Sequence, residues 1–429
     1  MKRNQMNREE FLKSAALTGA AGGLLMTPGG VGLDPSALHA RVRPSSGNGV
    51  VVLIQMAGGN DGLNSVIPYT DDAYYKARPR LGIPKNQVLR INGEAGFHPA
   101  LKGFHALYNS GDLAVVQGVG YANPNRSHFR STEIWQTATD SDETSSTGWL
   151  GRYFAAHGNI EDPPPSLTMG GKTPQAFASK RPMGVTLANP GAIRRVRKRG
   201  GQTENLSDFS ERIFPDIDED MDGGSIAAIA GALRGDINPL TFLEQAYDGT
   251  DKAYARIADL MNKVPAGQGY PNSKLGRDLG FVARMIAGEL PARVYYLSIG
   301  GFDTHVNQRG NHERLLTQLG DAVNAFVRDL KRRGKYNNVA LLAFSEFGRR
   351  VKENASGGTD HGTAAPVYLT GGLVKGGVYG KQPSLTDLDR GDLKFNLDYR
   401  RVYATLLEKG LGVSSRSILR GGYDTLPVM

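Results

Sequence analysis

The chain has 429 residues, 39% of them hydrophobic and 22% charged, enough for one large α/β domain with insertions or two ordinary domains. It contains no cysteine, which excludes disulfides, thiolate metal sites and cysteine nucleophiles and suits an exported protein at least as well as a cytosolic one. The net charge of +9 favours anionic partners, and 56 glycines spread through turns suit loops that bend sharply around a site.

Residues 1–40 read as an export signal. Lys2, Arg3 and Arg8 precede a mildly apolar run from Ser14 to Met26, and a processing site follows at Ala37-Leu38-His39-Ala40. The stretch from Asn7 to Lys13 resembles the twin-arginine export motif, with Glu9 standing where the second arginine belongs. The apolar run is too short to span a bilayer, and no other segment approaches a transmembrane length. The expectation is an exported protein, periplasmic or extracellular.

Val50 to Met56 is a dense apolar run ending in Gly58-Gly59-Asn60-Asp61-Gly62. A strand, a glycine turn and an acid hold a carboxylate at the carboxyl edge of a sheet. Asp61 is also a common turn residue before glycine. No G-x-G-x-x-G follows the strand, which argues against a dinucleotide fold. Pro99 to Asn109 reads as a helix and Leu113 to Val119 as a second buried strand. The Pro/Asn loop after it leads into a helix at Ser127-His128-Phe129-Arg130. A hydroxyl at a helix start sits among free N–H groups and suits a nucleophile as well as an N-cap. Ser127, Ser131 and Thr132 are all candidates for it.

Residues 140–220 are loop-rich. The basic run Arg194 to Arg199 lacks interleaved aromatics and reads as a solvated flank, so no specific nucleic-acid partner is expected. The acidic run Asp216 to Asp222 lacks the spacing of a calcium loop. Helical periodicity then dominates, so that 190–290 reads as a largely helical insertion or cap within one domain over 45–429.

The sheet pattern resumes at Ala292 to Ile299, which ends in Gly300-Gly301-Phe302-Asp303-Thr304-His305. An acid and an imidazole two residues apart face the same way on extended backbone and reach one metal. A long amphipathic helix, about Glu313 to Arg333, leads to the apolar run Val339 to Phe344, a buried strand. Its end, Ser345-Glu346-Phe347-Gly348-Arg349, and the following Thr359-Asp360-His361 bring polar groups to the same edge. Asp, Glu and His are the ligands that zinc or manganese accept.

Four segments, IQMAGGNDGLN, PNRSHFRSTEIWQT, IGGFDTHVNQ and FSEFGR…GTDHGTAAP, resemble the exported bacterial family called domain of unknown function 1501. That family is grouped with the alkaline phosphatase and sulfatase-like clan. The resemblance implies an α/β fold with a mostly parallel central sheet and helices on both faces. It also implies one or two divalent ions at the sheet's carboxyl edge. On this reading the metal ligands are Asp61, Asp303, His305, Glu346, Asp360 and His361, Ser127 is the nucleophile, and Arg349 stabilises charge on the transferred group. Phe347 stands where the clan has a ligand histidine. The activity implied is hydrolysis of phosphate or sulfate esters of small molecules or polymers; the alternative is a secreted binding or assembly protein on a decayed hydrolase scaffold.

Overall fold

In the computed structural model of the protein the first strand, β1 (Val50–Met56), shows how the sheet is buried. Val52, Ile54 and Met56 point into one hydrophobic cluster, Val51 and Leu53 into another. With side chains alternating to opposite faces, a run apolar at every position must be covered on both sides. The same split recurs in β5 (Val294–Ile299) and β6 (Val339–Phe344), which flank β1 in parallel register.

The structure describes residues 49–157, 166–169, 173–179, 185–187, 253 and 255–429. The expected export segment, the basic run from Arg194, the acidic run from Asp216 and most of the expected helical insertion lie outside them.

The remaining strands of the central sheet are β2 (Leu113–Gly120), β3 (Ser166–Met169), β4 (Val185–Leu187), β7 (Ala365–Thr370), β8 (Gly377–Tyr379) and β9 (Leu397–Asp398). Their spatial order is β8-β2-β7-β6-β1-β5-β3-β4, with β9 also pairing with β2. Among these strands only β7 runs antiparallel to its neighbours. The mostly parallel sheet expected from sequence is therefore present.

One face is covered by α1 (Lys102–Asn109), α4 (Lys274–Ala287) and α5 (Gln308–Arg332). Helix α5 places Leu315, Leu316, Leu319, Val323, Phe326 and Leu330 at three- and four-residue spacing, so one apolar stripe faces the sheet. Helix α4, read from sequence within the insertion, contributes Leu279, Val282 and Met285 to this same core. The other face carries α2 (His128–Thr137), α3 (Trp149–His157) and α6 (Tyr399–Thr405), where Tyr403 stacks on Trp149 and meets Trp135 edge-on. Among the described residues no helix is long and apolar enough to cross a membrane.

The antiparallel sense of β7 positions the site. Strand β6 ends at the sheet's carboxyl edge, and β7 begins there. The whole connection from Ser345 to Ala364 therefore leaves and re-enters at one edge. It folds back on itself through Gly348 N–H to Thr363 O (2.7 Å), Gly362 N–H to Gly348 O (2.8 Å) and a bridge between Arg349 and His361.

Candidate metal centre

Three imidazoles and one carboxylate converge beyond the carboxyl ends of β2, β5 and β6. Asp303 Oδ1 lies 3.0 Å from His305 Nε2, 3.1 Å from His361 Nε2 and 3.3 Å from His128 Nε2. His305 Nε2 and His361 Nε2 are 2.9 Å apart. The ligand atoms of His128, Asp303 and His361 all lie within 4.8 Å of one another. The four groups arrive on three segments: His128 opens α2, Asp303 and His305 follow β5, and His361 lies in the β6–β7 loop.

The far nitrogen of every ring is held. His128 Nδ1 meets Glu346 Oε1 at 2.8 Å, His305 Nδ1 meets Asp360 Oδ1 at 3.1 Å, and His361 Nδ1 meets the Arg126 carbonyl at 2.7 Å. A carbonyl only accepts and an ionised carboxylate only accepts, so each Nδ1 carries the proton. Each Nε2 then turns a lone pair toward the common centre. Two such lone pairs facing at 2.9 Å repel unless a cation or a proton stands between them. His128 Nε2 is in addition buried without a hydrogen-bond partner, a costly state for a polar atom. Imidazoles whose other N–H is anchored to a carboxylate or carbonyl are the usual arrangement around zinc. The residues present fit a divalent metal.

The electrostatics agree. Burial pushes the Asp303 carboxyl up, but the hydrogen bond and charge of Arg349 outweigh it and hold it well below the ordinary carboxylate range. The Glu346 hydrogen bond raises His128, while burial lowers His361. The site is open enough to admit a substrate: the Asp303 side chain is 46% exposed.

Two glycines let the segments meet. Gly58 and Gly59, after β1, have φ of +116° and +75°. A Cβ on Gly58 would stand 2.4 Å from Asp303 N, and one on Gly59 2.5 Å from the Phe347 ring. The Gly58 N–H donates to Glu346 Oε1 at 2.8 Å, so β1 braces the carboxylate that anchors His128.

The six ligands expected from sequence separate into three groups. Asp303, His305 and His361 reach the centre. Glu346 and Asp360 do not; they hold His128 and His305 by their Nδ1 atoms. Asp61 belongs to neither group. It is buried, and its Oδ2 accepts from Arg78 Nη1 at 2.5 Å and from Gln308 Nε2. Arg78 lies 17 residues downstream and brings a fixed positive charge to the acid, so Asp61 is held in a buried ion pair. Burial raises its carboxyl, yet Arg78 keeps it below its ordinary value.

Arg349 is committed within the protein. Its side chain has no exposure, and its guanidinium donates to the carbonyls of Gly58, Gly59 (2.7 Å), Phe302 (2.9 Å) and Thr359 (2.8 Å) and to Asp303 Oδ1 (2.6 Å). No donor faces a substrate; Arg349 pins three loops together.

Ser127 is exposed at the start of α2, and its hydroxyl makes no capping bond. Ser131 is buried with its hydroxyl on the Glu346 carbonyl (2.6 Å) and Tyr121 (2.8 Å), and Thr132 is half-buried. His128 is the member that the sequence reading passed over. Its signal was there: it stands one residue into the helix after β2, at the edge where the other candidates gather. Phe347 packs its ring 4.8 Å from His128 and 4.9 Å from His361, an apolar wall beside the imidazoles.

Solved structures similar to the chain include a protein of the alkaline phosphatase superfamily from Vibrio parahaemolyticus, at 8% identity and TM-score 0.38, covering 88% of this chain and 69% of that one. The lipoteichoic acid synthase LtaP from Listeria monocytogenes matches at 9% identity and TM-score 0.38, covering 88% and 75%. The PsFucS1 sulfatase from Pseudoalteromonas sp. matches at 12% identity and TM-score 0.38, covering 89% and 71%. No curated protein matches the sequence. The model of the family described as protein of unknown function, DUF1501, matches residues 49–408, and the chain belongs to that family.

Proposed function

We propose that the protein is an exported, metal-dependent hydrolase of phosphate or sulfate esters. The observation that carries the reading is the convergence of three imidazole Nε2 atoms on Asp303 Oδ1 with every Nδ1 anchored. His128, His305, His361 and Asp303 would hold one divalent ion, zinc or manganese by the chemistry of the donors. When bound, such an ion draws charge from an ester oxygen and steadies an attacking oxygen.

The chain's own residues supply the rest. Ser127, exposed and uncommitted beside His128, provides the hydroxyl that attacks phosphorus or sulfur. The new bond forms to the Ser127 oxygen as the bond to the alcohol oxygen breaks, the serine proton ends on the departing alcohol, and water later releases the transferred group and returns a proton to Ser127. The open N–H groups at the start of α2 favour the negative charge of that group. Arg349, Glu346 and Asp360 keep the ligands in place.

The diversion of Asp61 and Arg349 favours a second reading, a secreted binding or assembly protein on a decayed hydrolase scaffold. One experiment separates the two. Zinc- or manganese-loaded protein is assayed with 4-nitrophenyl phosphate and 4-nitrophenyl sulfate beside its Ser127→Ala variant. Turnover lost in the variant while bound metal is retained supports the enzyme. Metal-loaded protein with no turnover of either ester supports the scaffold.

A further inference from the structure

A short hairpin, Leu388–Asp389 paired with Asp392–Leu393, stands against the β6–β7 loop. Its Asp392 side chain is buried and lies between two guanidinium groups. Arg126 donates to Oδ2 from Nη2, and Arg350 Nε stands 3.8 Å from Oδ1. Both arginine side chains are about a third exposed, 34% and 36%. Each residue also supports the metal centre through its backbone. The Arg126 carbonyl holds His361, and the Arg350 N–H donates to the Asp360 carbonyl at 3.0 Å.

One carboxylate cannot neutralise two guanidinium groups, so a positive charge is left over at this edge. Arg350 is too far from Asp392 for a hydrogen bond. Its side chain makes one long bond, 3.5 Å from Nη1 to the Arg390 carbonyl. Among the described residues Arg350 Nη2 and Arg126 Nη1 have no partner, and both face solvent. The neighbouring arginines are spent. Arg78 and Arg349 are buried on acceptors of the fold, and Arg130 is held by Glu133 and the carbonyls of Ser141 and Glu143. The hairpin's other cation, Arg390, and Lys394 just after it pair with exposed Asp389 and Asp387. Two like charges held at one acid repel, and Arg350 gives the fold little in return. The arrangement suits an anion arriving from solvent, since a guanidinium grips sulfate or phosphate through paired N–H groups.

We propose that Arg126 and Arg350 bind a second anionic group of the substrate, a sulfate or phosphate other than the one transferred at the metal centre. Their guanidinium groups turn to the hairpin, and neither contacts an imidazole or Asp303 among the described residues. A group held there is distinct from one held on the metal. The proposal rests on the hydrolase reading for calling the bound molecule a substrate. The class it names is an ester that carries several sulfate or phosphate groups, in place of a simple monoester.

The test titrates the full chain with sucrose octasulfate by calorimetry at fixed ionic strength, with inorganic sulfate as the single-anion control. Octasulfate is expected to bind more tightly than sulfate, and Arg350→Ala to weaken it about tenfold. Asp392→Asn removes the acid that both arginines share and is expected to tighten binding. Arg328→Ala removes one exposed charge from α5 and should leave binding unchanged. Equal weakening by Arg328→Ala and Arg350→Ala overturns the proposal, as does octasulfate that binds no better than sulfate. Folded Asp392→Asn protein that binds no more tightly overturns it too; if that variant fails to fold, the two arginine variants decide. Each titration is run with and without added zinc. An Arg350→Ala loss in protein that turns over neither nitrophenyl ester keeps the polyanion site and removes the ester reading. Turnover of those esters with no Arg350→Ala loss does the reverse.

Discussion

The Arg349 guanidinium, its side chain wholly buried, donates to Asp303 Oδ1 at 2.6 Å, the same oxygen on which three imidazole nitrogens converge. Its Nε and both Nη atoms also donate to the carbonyls of Gly58, Gly59, Phe302 and Thr359. One planar fork thus fixes the loop after β1, the loop after β5 and the loop before β7. Lysine keeps the charge and loses the fork. Arg349→Lys is expected to weaken zinc binding by about 10–100-fold, the usual loss when a ligand's support is removed. A competition titration against a chromogenic chelator reads this directly; unchanged affinity would show that Arg349 does not set the Asp303 position.

Gln308 does a similar task from below. Its Oε1 accepts from Thr304 (3.1 Å) and Thr359 (2.6 Å), the residues beside Asp303, His305 and Asp360, and its Nε2 donates to Asp61. Gln308→Leu keeps the volume, strands the buried Thr359 hydroxyl, and takes one hydrogen bond from Thr304 and from Asp61, which keep the Phe302 carbonyl and Arg78. A stranded buried hydroxyl costs about 1–3 kcal/mol, so a loss of that order in a denaturant melt is expected, together with weaker metal binding. A melt within about 0.5 kcal/mol of wild type would contradict it.

The Asp61–Arg78 pair separates a ligand from a structural acid. Both side chains are without solvent exposure. Arg78→Met leaves the Asp61 charge buried and is expected to cost about 3–5 kcal/mol. Asp61→Asn is expected to lower stability while leaving the bound metal unchanged. Loss of metal from folded Asp61→Asn protein would restore Asp61 to the ligand set.

Acid should destabilise the fold through two buried imidazoles. Burial lowers His98 to about 4 and His312 to about 3. Both are held neutral: His98 Nδ1 accepts the Ala100 N–H at 3.1 Å, and His312 Nε2 lies 3.0 Å from Asn60 Oδ1. Unfolding returns them to about 6.5, so below that pH the unfolded chain binds more protons and stability falls. The loss begins as pH drops through about 6.5 and is complete only below the folded values; at pH 5 it is on the order of 2 kcal/mol for each group. His312→Gln should flatten the stability–pH slope between pH 5 and 6 by about 1.4 kcal/mol per unit. An unchanged slope would contradict it.

Much of the fold was legible in the chain. Val50–Met56 and Val339–Phe344 form strands at the bounds read from their apolar runs, because a strand buried on both faces declares itself by composition. The reversed sense of β7 was not legible: an apolar run carries no direction, and only pairing supplies it. The segments that meet at the sheet edge were named from sequence, but the pairing of Glu346 and Asp360 with imidazole Nδ1 atoms was not. The two-residue spacing of Asp303 and His305 brings their side chains within 3.0 Å of each other. Asp61 did not declare its partner, since Arg78 is an unremarkable basic residue until the fold buries it. Ser127 drew attention as a hydroxyl at a helix start, and His128 beside it supplies an imidazole where Phe347 had suggested a gap. Which of two adjacent side chains turns inward depends on the pitch at which α2 enters, and no residue pattern states that.

Metal content of the purified protein tests the central claim most directly. After equilibration with zinc or manganese and removal of excess, elemental analysis should find about one ion per chain. Folded His128→Ala and His305→Ala variants should lose it. A well-folded wild-type chain that retains no metal, or variants that retain it undiminished, would contradict the assignment of His128, His305, His361 and Asp303 to a common cation.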